Sequence, residues 1–295
     1  MFVIILLLIN LLLASLISFL CFRSNTTFLI IFIFVFWIAI SLFEIIIFFL
    51  IPLIAGINKP SSEENKTYHR GYRKLFHIYV KIVNRLFGVK LKVEGLDKIP
   101  DGPVIYIANH RSNMDPFIME EVLIKNDMIF VAKKSLFKIP FFGRIINQVG
   151  FQRINSNFLI EKSPKEVMED KKHDLIAIRN CIDLINEQKV SVSIYPEAMR
   201  NFQDKVLLEF KHGVFHIAKK TEVPIVVISL KGTEDFKKNV LFKRHKVEMK
   251  VLDVVYSDEY LNLSNDEIAA QLYEMIYEDI KDYYIEYENK KRKNV

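Results

Sequence analysis

The feature that most constrains the fold is an alternation of short apolar runs with longer segments of helical periodicity, which starts at Gly88. The short runs predict strands at 89–93, 104–108, 128–132, 190–195, 225–230 and 247–255. Helices are predicted at 116–124, 175–186, 212–220 and 266–287. This alternation is typical of an α/β fold, here with a mixed, mostly parallel sheet and flanking helices.

Two apolar stretches precede that alternation. Met1–Phe22 carries no charged side chain, and Phe28–Ile57 carries one, Glu44. Since roughly 20 apolar residues cross a bilayer, we expect an N-terminal two-helix transmembrane hairpin. Basic side chains that follow the second stretch place the remainder on the cytoplasmic side of the cell membrane, in a multi-pass protein: Lys59, Lys66, Arg70, Arg73 and Lys74.

Glu44 lies near the middle of the second apolar stretch, where a charged side chain is costly. One hypothesis gives it a role in the passage of an ion or substrate. The other is structural, with a glutamate that is protonated or that packs against the first helix through Asn10 or Ser15.

These features divide the chain into a transmembrane hairpin at 1–58, an amphipathic linker helix at 59–87 and an α/β domain at 88–295. The linker helix could lie on the bilayer surface or pack on the domain, with apolar side chains at Leu75, Ile78, Tyr79, Ile82, Val83 and Leu86.

The net charge of +6 falls on residues 59–295, because the two earlier charges, Arg23 and Glu44, cancel. This excess fits a phosphate-bearing or anionic membrane partner. Nucleic acid is a disfavoured partner, since the basic residues are spread among acidic ones without a recognised module. The two cysteines, Cys21 and Cys181, form neither a disulfide framework nor a CxxC zinc motif, which favours a reducing compartment.

The segment Val104–Pro116 has the strongest chemical signal. Its apolar run predicts a buried strand, and Asp115-Pro116 predicts a helix start with Asp at the N-cap. His110 and Asp115 then share a turn, where a carboxylate can orient an imidazole that acts as a base. Because no G-x-S-x-G motif is present, the expected nucleophile is a substrate hydroxyl.

Further motifs follow in order along the chain. They are Ala132-Lys-Lys-Ser-Leu-Phe-Lys-Ile-Pro-Phe-Phe-Gly143, Gly150-Phe-Gln-Arg153, Tyr195-Pro-Glu-Ala-Met-Arg200, Glu209-Phe-Lys-His-Gly213 and Val223-Pro-Ile-Val226. Together with Asn109, His110 and Asp115, this ordered set resembles the lysophosphatidic acid acyltransferase family of the glycerophospholipid acyltransferase superfamily. The resemblance covers about residues 75–233.

The resemblance implies a membrane-anchored acyltransferase of phospholipid biosynthesis that converts lysophosphatidic acid to phosphatidic acid. His110 would deprotonate the sn-2 hydroxyl and Asp115 would orient His110. Arg153 and Arg200, with Lys133 or Lys134, would hold the acceptor phosphate, because a guanidinium matches phosphate bidentately. Glu197 would bind the glycerol hydroxyls.

The same resemblance predicts neither a metal nor a bound cofactor, since the co-substrate is already an activated thioester. This thioester is the acylated form of acyl carrier protein or of coenzyme A. Membrane lipids complete the expected partners.

One departure concerns Ala198-Met199, where the family usually has Gly-Thr. It adds a Cβ at a position that often needs glycine and removes a hydroxyl. The alternatives are therefore an acyltransferase that uses another lysophospholipid or glycerol 3-phosphate, or a non-catalytic, membrane-tethered lipid-binding relative.

Overall fold

The computed structural model describes residues 9–16, 26–55, 68–139, 142–155, 164–202, 205–237 and 244–293. The chain divides into two compact units, Met1–Asn58 and Lys59–Val295. Most of the first predicted membrane span lies outside the described residues, as does the predicted linker segment 59–66.

The first unit contains a helical segment at 9–16 and helix α1, Thr26–Ala55. The Asn10 amide donates a hydrogen bond to the Glu44 carboxylate, with 2.8 Å between Nδ2 and Oε2. Of the two hypotheses for Glu44, the packing against the first helix through Asn10 is therefore the contact that the structure contains.

The prediction of an N-terminal transmembrane hairpin is wrong. A helix that crosses a bilayer needs roughly 20 consecutive, predominantly apolar residues. Across the described ranges, no helix combines the length and the apolar character that such a crossing requires. The fold class is corrected to the α/β part alone.

A seven-stranded sheet forms the centre of the second unit, in the order β1-β7-β6-β2-β5-β3-β4. The β6–β7 pair is antiparallel and the other neighbouring pairs are parallel, so the predicted mixed, mostly parallel sheet is confirmed. The strands are β1 (Val89–Glu94), β2 (Ile105–Ala108), β3 (Met128–Lys133), β4 (Gln152–Ile154), β5 (Ser191–Ile194), β6 (Ile225–Lys231) and β7 (His245–Val255).

Helices flank this sheet. They are α2 (Arg70–Leu86), α3 (Asp115–Val122), α4 (Phe142–Val149), α5 (Pro164–Gln188), α6 (Phe215–Thr221), α7 (Ser257–Tyr260) and α8 (Asn265–Lys293). A capping box starts α8, where the Ser264 N–H donates to Glu267 and the Glu267 N–H donates to Ser264. The short elements α4 and β4 were not predicted from the sequence, because each is too short to show a clear period.

Helix α2 packs on the domain through a face that the apolar pattern did not predict. Its buried residues are Arg73, Phe76, His77, Val80 and Asn84. Ile78, on the predicted apolar face, is 55% exposed. Polar partners on α3 explain the difference, because buried polar groups that are hydrogen-bonded can occupy a packed interface.

The core of the sheet is formed by β2, β5 and β6, whose side chains are almost entirely buried. Since β2, β3, β4, β5 and β6 run parallel, their carboxyl ends meet at one edge, the usual place for a binding site in an open α/β sheet. The chain segments that carry the predicted site residues leave the sheet at this edge.

Candidate active site

Asn109 fixes the point at which the chain leaves β2. Its Nδ2 donates to the Leu230 carbonyl at 2.9 Å, and its Oδ1 accepts from the Leu230 N–H at 2.8 Å. Both halves of the amide are thus bonded to the end of β6. These two hydrogen bonds hold the backbone just before His110 against a central strand.

The Asp115 carboxylate accepts hydrogen bonds from the turn that follows β2. Its Oδ2 accepts hydrogen bonds from the Arg111 N–H at 2.7 Å, the Ser112 N–H at 2.8 Å and His110 Nδ1 at 2.8 Å. Asp115 is the first residue of α3, and Met114 is the N-cap. The helix therefore begins one residue earlier than predicted, since Asp115 was expected at the N-cap. Its carboxylate therefore organises the preceding turn and the imidazole, as the pairing with His110 requires.

His110 lies between this carboxylate and an aromatic ring. The ring centroids of His110 and Tyr195 are 4.3 Å apart, and the planes differ by 20°. The side chain of His110 is 17% exposed, whereas that of Asp115 is fully buried. With Nδ1 held by the carboxylate, Nε2 is the nitrogen that can take a proton from a bound molecule.

Glu197, in the segment after β5, is hydrogen-bonded to the turn that contains His110. It accepts from the His110 N–H at 2.6 Å through Oε1 and from the Leu208 N–H at 3.1 Å through Oε2. Burial raises the pKa of Glu197 to about 8, although the two backbone N–H groups act in the opposite direction. Both oxygens are occupied by backbone donors, so the predicted contact with glycerol hydroxyls stays a prediction.

Arg111 follows His110 in the chain, and its side chain makes contacts away from Asp115, to which its backbone N–H donates. One terminal nitrogen of its guanidinium donates to the carbonyls of Lys205 and Val206, at 2.6 and 2.7 Å. The guanidinium carbon is 4.0 Å from the centre of the Tyr284 ring in α8. The side chain thereby links the catalytic turn to the C-terminal helix.

Two of the predicted phosphate-binding cations lie near each other, and one of them, Arg200, is close enough to Asp115 for the carboxylate to affect its pKa. Burial lowers the pKa of Lys133, and the charge of Arg200 lowers it further. Burial also lowers the pKa of Arg200, whereas the Asp115 carboxylate opposes that shift. Within the described ranges, neither cation forms an ion pair. Lys133 and Arg200 therefore share a half-buried region in which an anion would be stabilised.

The other two predicted cations are placed differently. Arg153 on β4 donates to the Asn147 side chain at 2.6 Å and lies 4.6 Å from the centre of the Phe137 ring. Its strand partner is Ala132, so Arg153 and Lys133 leave the sheet on opposite faces. Lys134 begins the 3-10 turn Lys134–Lys138.

An apolar cavity of about 210 Å³ lies next to the histidine. Tyr195, which stacks on His110, forms part of its wall together with Ala198. The remaining walls come mainly from β3, β4, α5 and α6, including Val131, Ile154, Ile178 and Ile217. Tyr195 thus connects this apolar space with the candidate base His110.

Sequence analysis did not assign roles to Arg111 and Tyr195 or to the amide of Asn109. Arg111 and Asn109 flank His110, and Tyr195 precedes the Pro-Glu pair of the third motif. Their motif positions were the only available signal, because their partners Leu230, Lys205 and Tyr284 are distant in sequence.

Comparison with known proteins places this geometry in a family. A sequence model described as Acyltransferase matches residues 90–231. The 1-acyl-sn-glycerol-3-phosphate acyltransferase of Escherichia coli (strain K12) is 32% identical over 151 residues, which cover 51% of this chain and 56% of that protein. The chain is thus similar to the acyltransferase family over residues 90–231. The resemblance to lysophosphatidic acid acyltransferases is thereby confirmed.

Other relatives carry the same description. The protein of Haemophilus influenzae is 28% identical over 205 residues, which cover 67% of this chain and 80% of that protein. The protein of Saccharomyces cerevisiae is 24% identical over 194 residues, which cover 65% of this chain and 59% of that protein. The chain thus spans little more than half the length of the yeast and E. coli relatives.

The fold has a counterpart among solved structures. The crystal structure of the 1-acyl-sn-glycerophosphate (LPA) acyltransferase from Thermotoga maritima superposes with a TM-score of 0.54 at 24% identity. The match covers 73% of this chain and 83% of that one. At this identity the likeness concerns the fold alone, so the roles predicted for individual site residues stay predictions.

Proposed function

We propose that this chain is an O-acyltransferase that transfers a fatty acyl group from a thioester to the sn-2 hydroxyl of 1-acyl-sn-glycerol 3-phosphate, giving phosphatidic acid. The observation that carries the proposal is the bond of 2.8 Å between His110 Nδ1 and Asp115 Oδ2 at the carboxyl end of β2. The curated relatives, which are named for this reaction, support the choice of substrates.

In the proposed reaction His110 is the general base. Nε2 takes the proton of the acceptor hydroxyl while the hydroxyl oxygen forms a bond to the thioester carbonyl carbon. The carbon–sulfur bond then breaks, and the proton on His110 passes to the departing thiolate. Asp115 stabilises the imidazolium between these steps, because its carboxylate remains bonded to Nδ1.

Lys133 and Arg200 are the proposed ligands of the acceptor phosphate. Both cations are half-buried. Burial lowers the pKa of both, the charge of Arg200 lowers that of Lys133 further, and the Asp115 carboxylate opposes the shift of Arg200. A phosphate placed between them would neutralise charge in a region of reduced solvation, where such pairing is strong. Arg153 leaves the sheet on the other face from Lys133, so its predicted role in binding phosphate, like that of Lys134, stays a prediction.

The cavity behind Tyr195 is the proposed place for an acyl chain. Its apolar walls favour a hydrocarbon, since each buried methylene contributes about 0.8 kcal/mol. Replacing Ile178 by Phe would shorten the space and shift the preference toward shorter acyl chains, as a competition assay between thioesters of different length would measure.

The deciding experiment compares the wild-type protein with His110→Ala. Purified protein is incubated with lysophosphatidic acid and an acyl thioester, as acyl coenzyme A and as acyl carrier protein, and phosphatidic acid is quantified. We expect activity to fall by roughly 10²- to 10⁴-fold when the base is removed. His216→Ala, an exposed histidine on α6, serves as the matched control and should keep full activity.

Equal product from wild type and His110→Ala would overturn the proposed base. Lysophospholipids with other head groups and glycerol 3-phosphate, run in parallel, test the acceptor. Phospholipid binding that survives His110→Ala, without turnover of any acceptor by the wild type, would instead indicate a non-catalytic lipid-binding protein. The predicted cytoplasmic location of the catalytic part stays a prediction.

A further inference from the structure

Arg111 is a buried cation that forms no ion pair within the described parts of the chain, although its charge opposes the effect of burial, which raises the pKa of the Glu197 carboxyl. Only 5% of the residue is exposed. Its contacts are two backbone carbonyls and the face of the Tyr284 ring, which stabilise the guanidinium without neutralising it. A buried charge of this kind favours a counter-ion, because desolvation leaves its field poorly screened.

A cavity of about 200 Å³ opens next to this guanidinium. Arg111, Lys205 and Tyr284 line it, together with Glu288 and Arg292 near the end of α8. Three cationic side chains therefore face the space against one carboxylate. The composition of the walls suits a small anion with several oxygen acceptors, such as a phosphate group.

The order of the strands places the cavity on the opposite side of β2 from Lys133, one of the two proposed acceptor ligands. In the sheet, β6 borders β2 on one side, while β5 and then β3 follow on the other. The Tyr284 hydroxyl donates to the Leu230 carbonyl on β6, whereas Lys133 ends β3. The Arg111 cavity and the Lys133 region thus flank the catalytic histidine, which leaves two separate positions for two anionic substrates.

We propose that the Arg111 cavity binds a phosphate group of the acyl-thioester donor. Both donor classes contain such a group: coenzyme A has nucleotide phosphates, and the pantetheine arm of a carrier protein is attached through a phosphodiester. The inference rests on the proposed acyl transfer and assigns the two phosphate-bearing substrates to opposite sides of His110.

A binding experiment that does not need activity tests the site. The shift of the unfolding temperature is measured with adenosine 3′,5′-bisphosphate, 4′-phosphopantetheine and glycerol 3-phosphate, for the full chain and two cavity variants. Arg111→Gln should weaken binding of a donor fragment roughly 10- to 100-fold, since a charge-assisted contact to phosphate is lost. Lys205→Glu, at the exposed rim, should weaken it by at least about threefold.

Lys90→Glu is the matched control, because Lys90 is an equally exposed lysine on the edge strand β1. It should leave the binding of every fragment unchanged. The donor fragment that binds more tightly identifies the acyl donor, either coenzyme A or acyl carrier protein. The proposal is overturned if neither donor fragment binds, if Arg111→Gln and Lys205→Glu bind them as the wild type does, or if only glycerol 3-phosphate depends on these two residues.

Kinetics separate this inference from the proposed function. In Lys205→Glu we expect a higher KM for the thioester at an unchanged KM for lysophosphatidic acid, and the reverse would overturn the assignment. His110→Ala should bind the donor fragments as the wild type does, since the base takes no part in this site. If no acceptor is acylated while fragment binding still depends on Lys205, the proposed function fails and the phosphate site stands.

Discussion

Ala198 is the residue at which the departure from the family motif has a measurable structural effect. Its φ of 56° lies in the left-handed region, where an L side chain costs about 1–2 kcal/mol. The Gly that the family usually has there would avoid that strain. The expectation from the sequence, that this position favours glycine, is therefore supported by the backbone.

We predict that Ala198→Gly stabilises the protein. The gain should be about 1 kcal/mol, because relief of the left-handed strain is partly offset by the greater freedom of glycine in the unfolded chain. Urea unfolding followed by circular dichroism measures it. Ala132→Gly, in the extended backbone of β3, is the control and should destabilise. A lower midpoint for Ala198→Gly would contradict the argument.

Glu197 is predicted to position the catalytic turn. Replacing it by Leu removes the acceptors of the His110 and Leu208 N–H groups, and a small displacement of a catalytic group can cost roughly 10²-fold in rate. We expect kcat to fall by that order while KM for lysophosphatidic acid stays within about twofold.

Glu197→Gln should recover part of the rate, because the amide oxygen can accept one of the two hydrogen bonds. Steady-state kinetics of both variants provide the comparison. A large rise in the acceptor KM with kcat preserved would instead favour the role in binding glycerol hydroxyls that the family motif implies.

At the scale of elements, α2 packs against the short helix α3, which begins at Asp115, and stabilises its position. Arg73 Nε donates to Glu120 Oε1 at 2.7 Å, and His77 Nδ1 lies 3.3 Å from the Glu120 carbonyl. Asn84 adds bonds to the Phe117 carbonyl and the Glu121 carboxylate. The orienting carboxylate of the active site is thus held through a polar, buried helix interface.

This interface should make the stability depend on pH. Burial raises the pKa of Glu120 from 4.5 to about 7, opposed by Arg73 and reinforced by Asp127. The folded state therefore binds a proton that the unfolded state releases, and the stability from Glu120 is lost as pH rises from about 4.5 to about 7.

We predict that Glu120→Gln flattens this dependence, so that wild type loses on the order of 3 kcal/mol more stability than the variant between pH 4.5 and pH 8. Urea unfolding at both pH values measures the difference. The exposed Glu187→Gln should behave like the wild type. Parallel pH curves for wild type and Glu120→Gln would refute this interpretation.

At the scale of the whole molecule, the sheet order predicts where the structure is most stable. β2 and β6 lie at the centre and are almost completely buried, whereas β1 and β4 are the edge strands. Backbone amides of β2 and β6 should exchange slowest with deuterium, because they open only in large-scale unfolding. Amides of β1 and β4 should exchange fastest among the strands.

Hydrogen exchange read by mass spectrometry tests this order. Peptides that cover residues 104–110 and 225–231 should remain protected longest, since Asn109 also bonds the two strands together through Leu230. Early exchange in these peptides, with β1 still protected, would show that the centre of the sheet does not set the stability of the domain.

The sequence by itself determined the α/β class, most strands of the sheet and the pairing of His110 with Asp115. These follow from local information: apolar period, turn residues and an ordered set of motifs. It misjudged the N-terminal hairpin. It also missed the packed face of α2, because apolar content alone does not show what a helix packs against.

Only the tertiary structure decided how the site is held. Glu197 has the backbone of His110 and Leu208 as partners, Arg111 has Tyr284, and Asn109 has Leu230. Apart from Leu208, which is 11 residues from Glu197, these partners are far away in sequence. The contacts exist because parallel strands bring their carboxyl ends to one edge of the sheet, which no local pattern in the chain encodes.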